Sequence, residues 1–212
     1  MTKREQICKS FEKYVPKTFA PYLVELLFSE KVNFKITKPR NTKHGDYRPP
    51  HNGKTHRITV NNDLNKYAFL ITTIHEFAHM TTHIKYGRGV KAHGIEWKNE
   101  FKRLLLPVLE SNELPENIHN ALIRSLNNLK ASSCTDKNLY RALKEYDDSS
   151  KNSVLLEQLR NNQQFKLGKK VFQRGVLRRS RFLCEEVTTR KIYLVSALAE
   201  VEPLNEGIED GE

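Results

Sequence analysis

Apolar side chains recur at intervals of three and four residues from Leu64 through Ala68, Ile71 and Ile74 to Ala78, and this spacing predicts one long helix with an apolar stripe. Asn61, Asn62 and Asp63 stand ahead of it as N-cap candidates, and Gly87 and Gly89 mark a turn that ends it. Two shorter helices are expected upstream, near Arg4 to Tyr14 and Ala20 to Glu30, separated by Pro16 and Pro21. Between these and the long helix the pattern changes. Val32 to Ile36 alternates apolar and polar residues and Thr55 to Val60 is rich in β-branched ones, so both read as strands. A connection containing Pro and Gly, Lys38 to Lys54, joins them and carries Gly45-Asp46-Tyr47-Arg48. Helical spacing returns over Trp97 to Leu106 and Pro115 to Leu129, with Trp97 expected as a packing anchor.

Beyond Ala131 the signal weakens. Ser132 to Asp136 reads as a loop, Asn138 to Tyr146 as a short helix, and Asp147 to Asn152 as a polar connection. Phe165 to Val201 reads as three or four short antiparallel strands with turns at Gly168 and Gly175. The expected class is therefore α+β: a mainly helical domain with a small sheet over residues 1–130, a helical and loop connector over 131–162, a small basic β module over 163–201, and a disordered acidic tail over 202–212.

The chemistry sits on the long helix, in His75-Glu76-Phe77-Ala78-His79. Residues i and i+4 share a helical face, so His75 and His79 can aim two imidazole nitrogens at one Zn²⁺ ion. Glu76, one residue along, reaches a water at that ion and takes the position of a general base for amide hydrolysis. A catalytic zinc has three protein ligands and an open position, so a third donor is needed downstream. His93, beyond the reversal at Gly87-Arg88-Gly89, is the first choice, with Glu96 and Glu100 as carboxylate alternatives. His83 is set aside, because it lies about 12 Å along the axis from His75 at 1.5 Å per residue.

With His75-Glu76-Phe77-Ala78-His79 followed by Tyr86-Gly87-Arg88 and His93-Gly94-Ile95-Glu96-Trp97, the segment from Phe19 to Leu106 resembles the SprT-like metalloprotease domain, whose eukaryotic relatives are the Spartan proteases. The resemblance implies a zincin-like catalytic domain, one zinc ion on His75, His79 and His93 with Glu76 as base, and proteolysis of DNA-associated proteins, including covalent DNA-protein crosslinks. One departure stands out. Many such proteins carry a zinc ribbon of two Cys-x-x-Cys pairs, whereas this chain has only Cys8, Cys134 and Cys184, so no second zinc is expected.

Charge adds a partner. The net charge is +11, although six of the acids fall within the last thirteen residues, so the remainder is more cationic still, and a polyanion partner is favoured. Lys169, Lys170, Arg174, Arg178, Arg179 and Arg181 are the expected nucleic-acid contacts, since alternation on paired strands would set arginines on one face and Phe165, Phe172, Phe182 and Tyr193 on the other. The alternative is a solvated face that only aids solubility. The acidic tail could fold back on this face and compete with a polyanion. No apolar run is long enough to cross a bilayer and the start lacks a signal peptide, so a soluble, cytoplasmic protein is expected, with protein substrate and DNA as partners and no membrane contact. Two functions follow: a zinc endopeptidase guided by nucleic acid, or a nucleic-acid-binding protein whose metal site is structural or degenerate.

Overall fold

The computed structural model describes residues 1–40, 42–127, 136–147 and 153–204, and these form two compact units divided between residues 147 and 148. Cys134, the loop 132–135 and the acid-rich end beyond residue 204 lie outside the described residues. The chain is α+β, with six helices and two sheets among the described residues.

The first unit is organised around its longest helix. It opens with α1 (Lys3–Phe11), α2 (Ala20–Ser29) and three strands, β1 (Val32–Thr37), β2 (Gly45–Arg48) and β3 (His56–Asn61), followed by α3 (Lys66–Tyr86) and α4 (Ile95–Glu110). Two further helices complete it, α5 (Glu116–Asn127) and α6 (Lys137–Lys144). The strands lie in the order β1-β3-β2, with β1 parallel and β2 antiparallel to β3. Cross-strand partners share a face, so Phe34, Ile58 and Tyr47 turn to the core while Asn33, Arg57 and Arg48 line the opposite side. β3 is therefore central and β2 is an edge.

α3 carries more than the stripe its spacing predicts. Phe69, Leu70, Ile71, Ile74, Phe77, Ala78 and Met80 are all buried, because the sheet packs on one side and α4 on another. Phe77 stacks on Phe34 of β1 at 6.4 Å, and burial of aromatic rings of this kind supplies the non-directional part of the stability. α6 joins the same core through Leu139 and Ala142.

The N-cap expectation is corrected by two to four residues. Asn65, not Asn61, Asn62 or Asp63, caps α3, its side-chain oxygen accepting from Tyr67 and Ala68 N–H at 3.1 and 2.9 Å. Asn61 is the last residue of β3, and its amide donates to the carbonyls of Arg40 and Lys43, holding that connection against the sheet.

The second unit is a six-stranded antiparallel sheet in the order β4-β9-β5-β6-β7-β8, made of β4 (Val154–Leu155), β5 (Gln164–Leu167), β6 (Lys170–Arg178), β7 (Arg181–Glu186), β8 (Ile192–Ser196) and β9 (Glu200–Pro203). Phe165, Phe172, Phe182, Cys184, Val195 and Val201 form its core. Three details differ from the sequence reading. The segment 164–203 holds five strands, and Glu202 and Pro203, expected in the tail, belong to β9 because Val201 is buried and the backbone pairs with β4 and β5. Gly175 makes no turn. It lies within β6, where a Cβ would meet the Leu183 carbonyl oxygen at 2.5 Å, next to a register shift between Arg174 and Leu177.

Asn65 also reaches across to α6, its amide donating to the Leu143 carbonyl at 2.8 Å and to Asp147 at 2.7 Å. Asn65→Ala should lower the stability of the first unit by about 1–2 kcal/mol in urea unfolding, the usual cost of a lost cap with its linked donors.

Candidate metal centre

Helical spacing sets the first two donors and a chain reversal brings the third. His75 and His79 stand one turn apart on α3, their ring centroids 4.8 Å apart. α3 ends at Gly87, and the chain returns to place His93 directly before α4. His93 adopts φ +58°, a left-handed conformation that few side chains hold without support from their surroundings. The Nε2 atoms of the three rings lie 3.0, 3.1 and 3.2 Å from one another.

That triangle has one simple interpretation. A ring nitrogen is a donor or an acceptor, never both, so three mutual contacts cannot all be hydrogen bonds. Three convergent lone pairs are satisfied by a cation. Nitrogens about 2.1 Å from one zinc at tetrahedral angles stand roughly 3.4 Å apart, close to the spacing here. The triad can therefore hold a metal ion. Burial keeps the rings neutral, as ligands must be: desolvation and the neighbouring rings depress His75 to about 2, desolvation and His93 bring His79 to about 4, and desolvation lowers His93.

The alternatives have other occupations. Glu100 is buried between Lys85 and Arg103, tying the end of α3 to α4. Glu96 is not among the converging donors, and neither is His83, which sits by Tyr47 and His56 at ring distances of 6.2 and 5.9 Å. Trp97 forms the floor, stacked on Phe101 and 4.6 to 5.2 Å from all three histidine rings.

Glu76 is buried, and desolvation with the Asp46 charge raises its carboxyl to about 7. Strand β2 holds it. The Tyr47 N–H hydrogen-bonds the carboxylate, while Gly45 leaves room for the side chain. A Cβ at Gly45 would lie 2.7 Å from the Glu76 Cγ and 2.8 Å from the Thr72 methyl, so only glycine fits. Tyr47 continues the contact with its ring parallel to His79, and its hydroxyl bonds the His56 Nδ1 at 2.9 Å. The sequence singled out this tetrapeptide as a connection but carried no signal of its role, because the contact joins residues about thirty positions apart.

The SprT-like family model matches residues 5–115, just over half of the 212. The chain belongs to the SprT-like family. No curated protein and no solved structure matches it at a comparable level. Within this SprT-like chain the matched segment contains the triad, Glu76, Gly45, Tyr47 and Trp97, so every residue of the centre lies on the family's own portion.

The basic residues of the second unit do not form one surface. Lys169 and Lys170 lie at the start of β6, where Lys170 pairs with Glu186 at 3.1 Å; Arg178, Arg179 and Arg181 crowd the exposed β6-β7 hairpin at its far end. Arg174 faces inward. It pairs across with buried Cys184 and lies over the Phe182 ring at 3.9 Å, so arginine and aromatic share a face. Among the described residues no helix is long and apolar enough to cross a membrane.

Two outcomes follow from this geometry. Trp97 is the one tryptophan and touches the triad, so Zn²⁺ added to the chelated protein should change its emission saturably; His93→Ala should weaken that titration by at least tenfold. In metal-free protein, a carboxyl raised to about 7 stabilises the fold while protonated and loses that contribution as pH rises from about 4.5 through 7. Glu76→Gln should consequently stabilise the chelated protein by an amount growing with pH, up to about 3 kcal/mol by urea melts above neutrality.

Proposed function

We propose that this SprT-like chain is a zinc-dependent endopeptidase with a zincin-like arrangement, acting in the cytoplasm on proteins associated with DNA. The observation that carries the reading is the convergence of three neutral imidazoles beside a buried, uncoordinated carboxylate. Zinc at His75, His79 and His93 would supply Lewis acidity, lowering the pKa of water to about 7 and polarising a carbonyl. Three protein donors leave a position open, whereas a structural zinc is usually closed by four.

The chain's own residues divide the remaining work. Glu76, with its proton affinity raised by burial, accepts the proton from attacking water and returns it to the leaving amine. Tyr47 N–H and Gly45 fix the carboxylate so that it need not reorganise during the reaction. Of the two strands that pack against α3, β3 with Ile58 is paired on both sides, while β2 with Tyr47 is an edge among the described residues. An extended peptide adding to β2 would run beside the triad, its backbone held by ladder hydrogen bonds. Association with DNA is supported by the family resemblance and by the cationic chain, with Arg178, Arg179 and Arg181 an exposed cluster of the second unit.

The test is cleavage of a denatured protein, with and without DNA, by zinc-loaded protein. Glu76→Gln should retain the metal and lose at least a hundredfold in rate, the usual contribution of a general base. Gly45→Ala should also keep the metal but lose activity, through displacement of the Glu76 side chain. If Glu76→Gln cuts as fast as the parent, the chain is instead a binding protein with a structural metal.

A further inference from the structure

The outer face of the three-stranded sheet, turned away from α3, is as cationic as the inner face is apolar. Asn33, Arg57 and Arg48 stand side by side across β1, β3 and β2, followed by Lys35, Thr59 and Asp46 in the next row of that face. The turn before β3, closed by Lys54 N–H to the His51 carbonyl at 3.1 Å, folds toward this face, and a cavity of about 700 Å³ results, lined by Asn33, Lys35, Arg48, His51, Lys54 and Arg57.

Four permanent cations meet in this cavity with little to neutralise them. Asp46, the one acid on these two rows, is already shared by Lys43 and Arg48 at 2.7 and 3.0 Å. Lys35, Lys54 and Arg57 have no acidic partner among the described residues. Arg57 Nε is buried without a hydrogen-bond partner, as is Nη2 of Arg40, whose other nitrogens bond Thr59 and Asn61 on the same face. Buried N–H donors left unpaired are costly, and like charges gathered in one cavity repel, so the arrangement calls for an anion rich in acceptors.

We infer that this face is a phosphate-binding site, and that its ligand is the phosphate backbone of a nucleic-acid strand. One phosphate is too small: three strands spaced by about 4.8 Å spread the cations over roughly 10 Å, and four positive charges exceed the charge of one phosphate group. A chain of phosphates matches both the width and the count. Apart from His51 no aromatic ring lines the cavity, so bases have little to stack on and recognition is of the backbone, independent of base sequence. β2 then serves two ligands. Tyr47 faces the triad and Arg48 faces the phosphates, so the two sites lie on opposite faces of one strand.

The inference rests on none of the metal-site argument, and its test reads no cleavage. Binding of a fluorescent thymidine oligonucleotide of about 16 nucleotides to the full chain would be followed by anisotropy between about 50 and 200 mM salt. Lys35→Gln/Lys54→Gln/Arg57→Gln should weaken binding at least tenfold and shrink the slope of log affinity against log salt by about 2, since each single-strand phosphate contact contributes about 0.7. Because Arg57 is partly buried, the exposed pair Lys35→Glu/Lys54→Glu is measured with it, with circular dichroism to check the fold, and should weaken binding in the same direction. Arg178→Gln/Arg179→Gln/Arg181→Gln serves as the comparison. If both sheet-face variants bind like the parent while the hairpin variant alone loses affinity, the site is wrong. Pyrophosphate is the remaining arm: competition no stronger than its ionic strength accounts for supports a strand, whereas saturable micromolar binding unaffected by the oligonucleotide overturns that assignment.

Discussion

Three imidazole nitrogens pointing at one spot, each within 3.2 Å of the other two, are the constraint around which the first unit is arranged. Lone pairs so placed repel one another, and burial removes the water that would screen them. Such a cluster persists only where the surrounding packing outweighs its cost. α3 supplies that packing, buried on most of its circumference, and the Glu100 contacts with Lys85 and Arg103 lock α4 against it so that the intervening reversal can hold His93 in its left-handed backbone. Trp97 fills the space behind all three rings and leaves them few other rotamers.

Glu76 is a second expense of the same kind. A carboxyl buried and pushed toward neutrality destabilises the ionised fold, and a side chain pressed on Gly45 leaves no latitude for substitution there. Neither feature helps the protein fold. Both make sense where stability is exchanged for a base already desolvated and oriented. The short strand β2 connects this centre with the cationic outer face, because alternation along a strand sends neighbouring residues to opposite sides.

The second unit illustrates how a single extra residue redirects charge. Strict alternation along β6 sets Arg174 on the same face as buried Phe172, over Phe182, and would carry Arg178 to that face as well. The register shift between Arg174 and Leu177 breaks the period, so Leu177 pairs with buried Phe182 and Arg178 pairs with Arg181 in the exposed hairpin.

Periodicity alone determined the helices of the first unit and two of its three strands to within a few residues, and the i,i+4 spacing of His75 and His79 made two of the three metal donors legible, because both depend on contacts within one turn or one strand; β2, which reads as part of a connection, is missed. The need for a third donor beyond the glycine reversal made His93 the first choice and the family motif agreed, although no local rule supplies the position of its ring. What only the tertiary structure decided are contacts between segments far apart in the chain. Asn65 rather than Asn61 caps α3 because β3 keeps Asn61 in its ladder; Glu100 is taken by Lys85 and Arg103 and is lost as a ligand; Gly45 and Tyr47 reach Glu76 only after β2 has paired with β3. Long-range pairing of this sort leaves no periodic trace, since the partners are chosen by packing of the whole unit and not by their sequence neighbours.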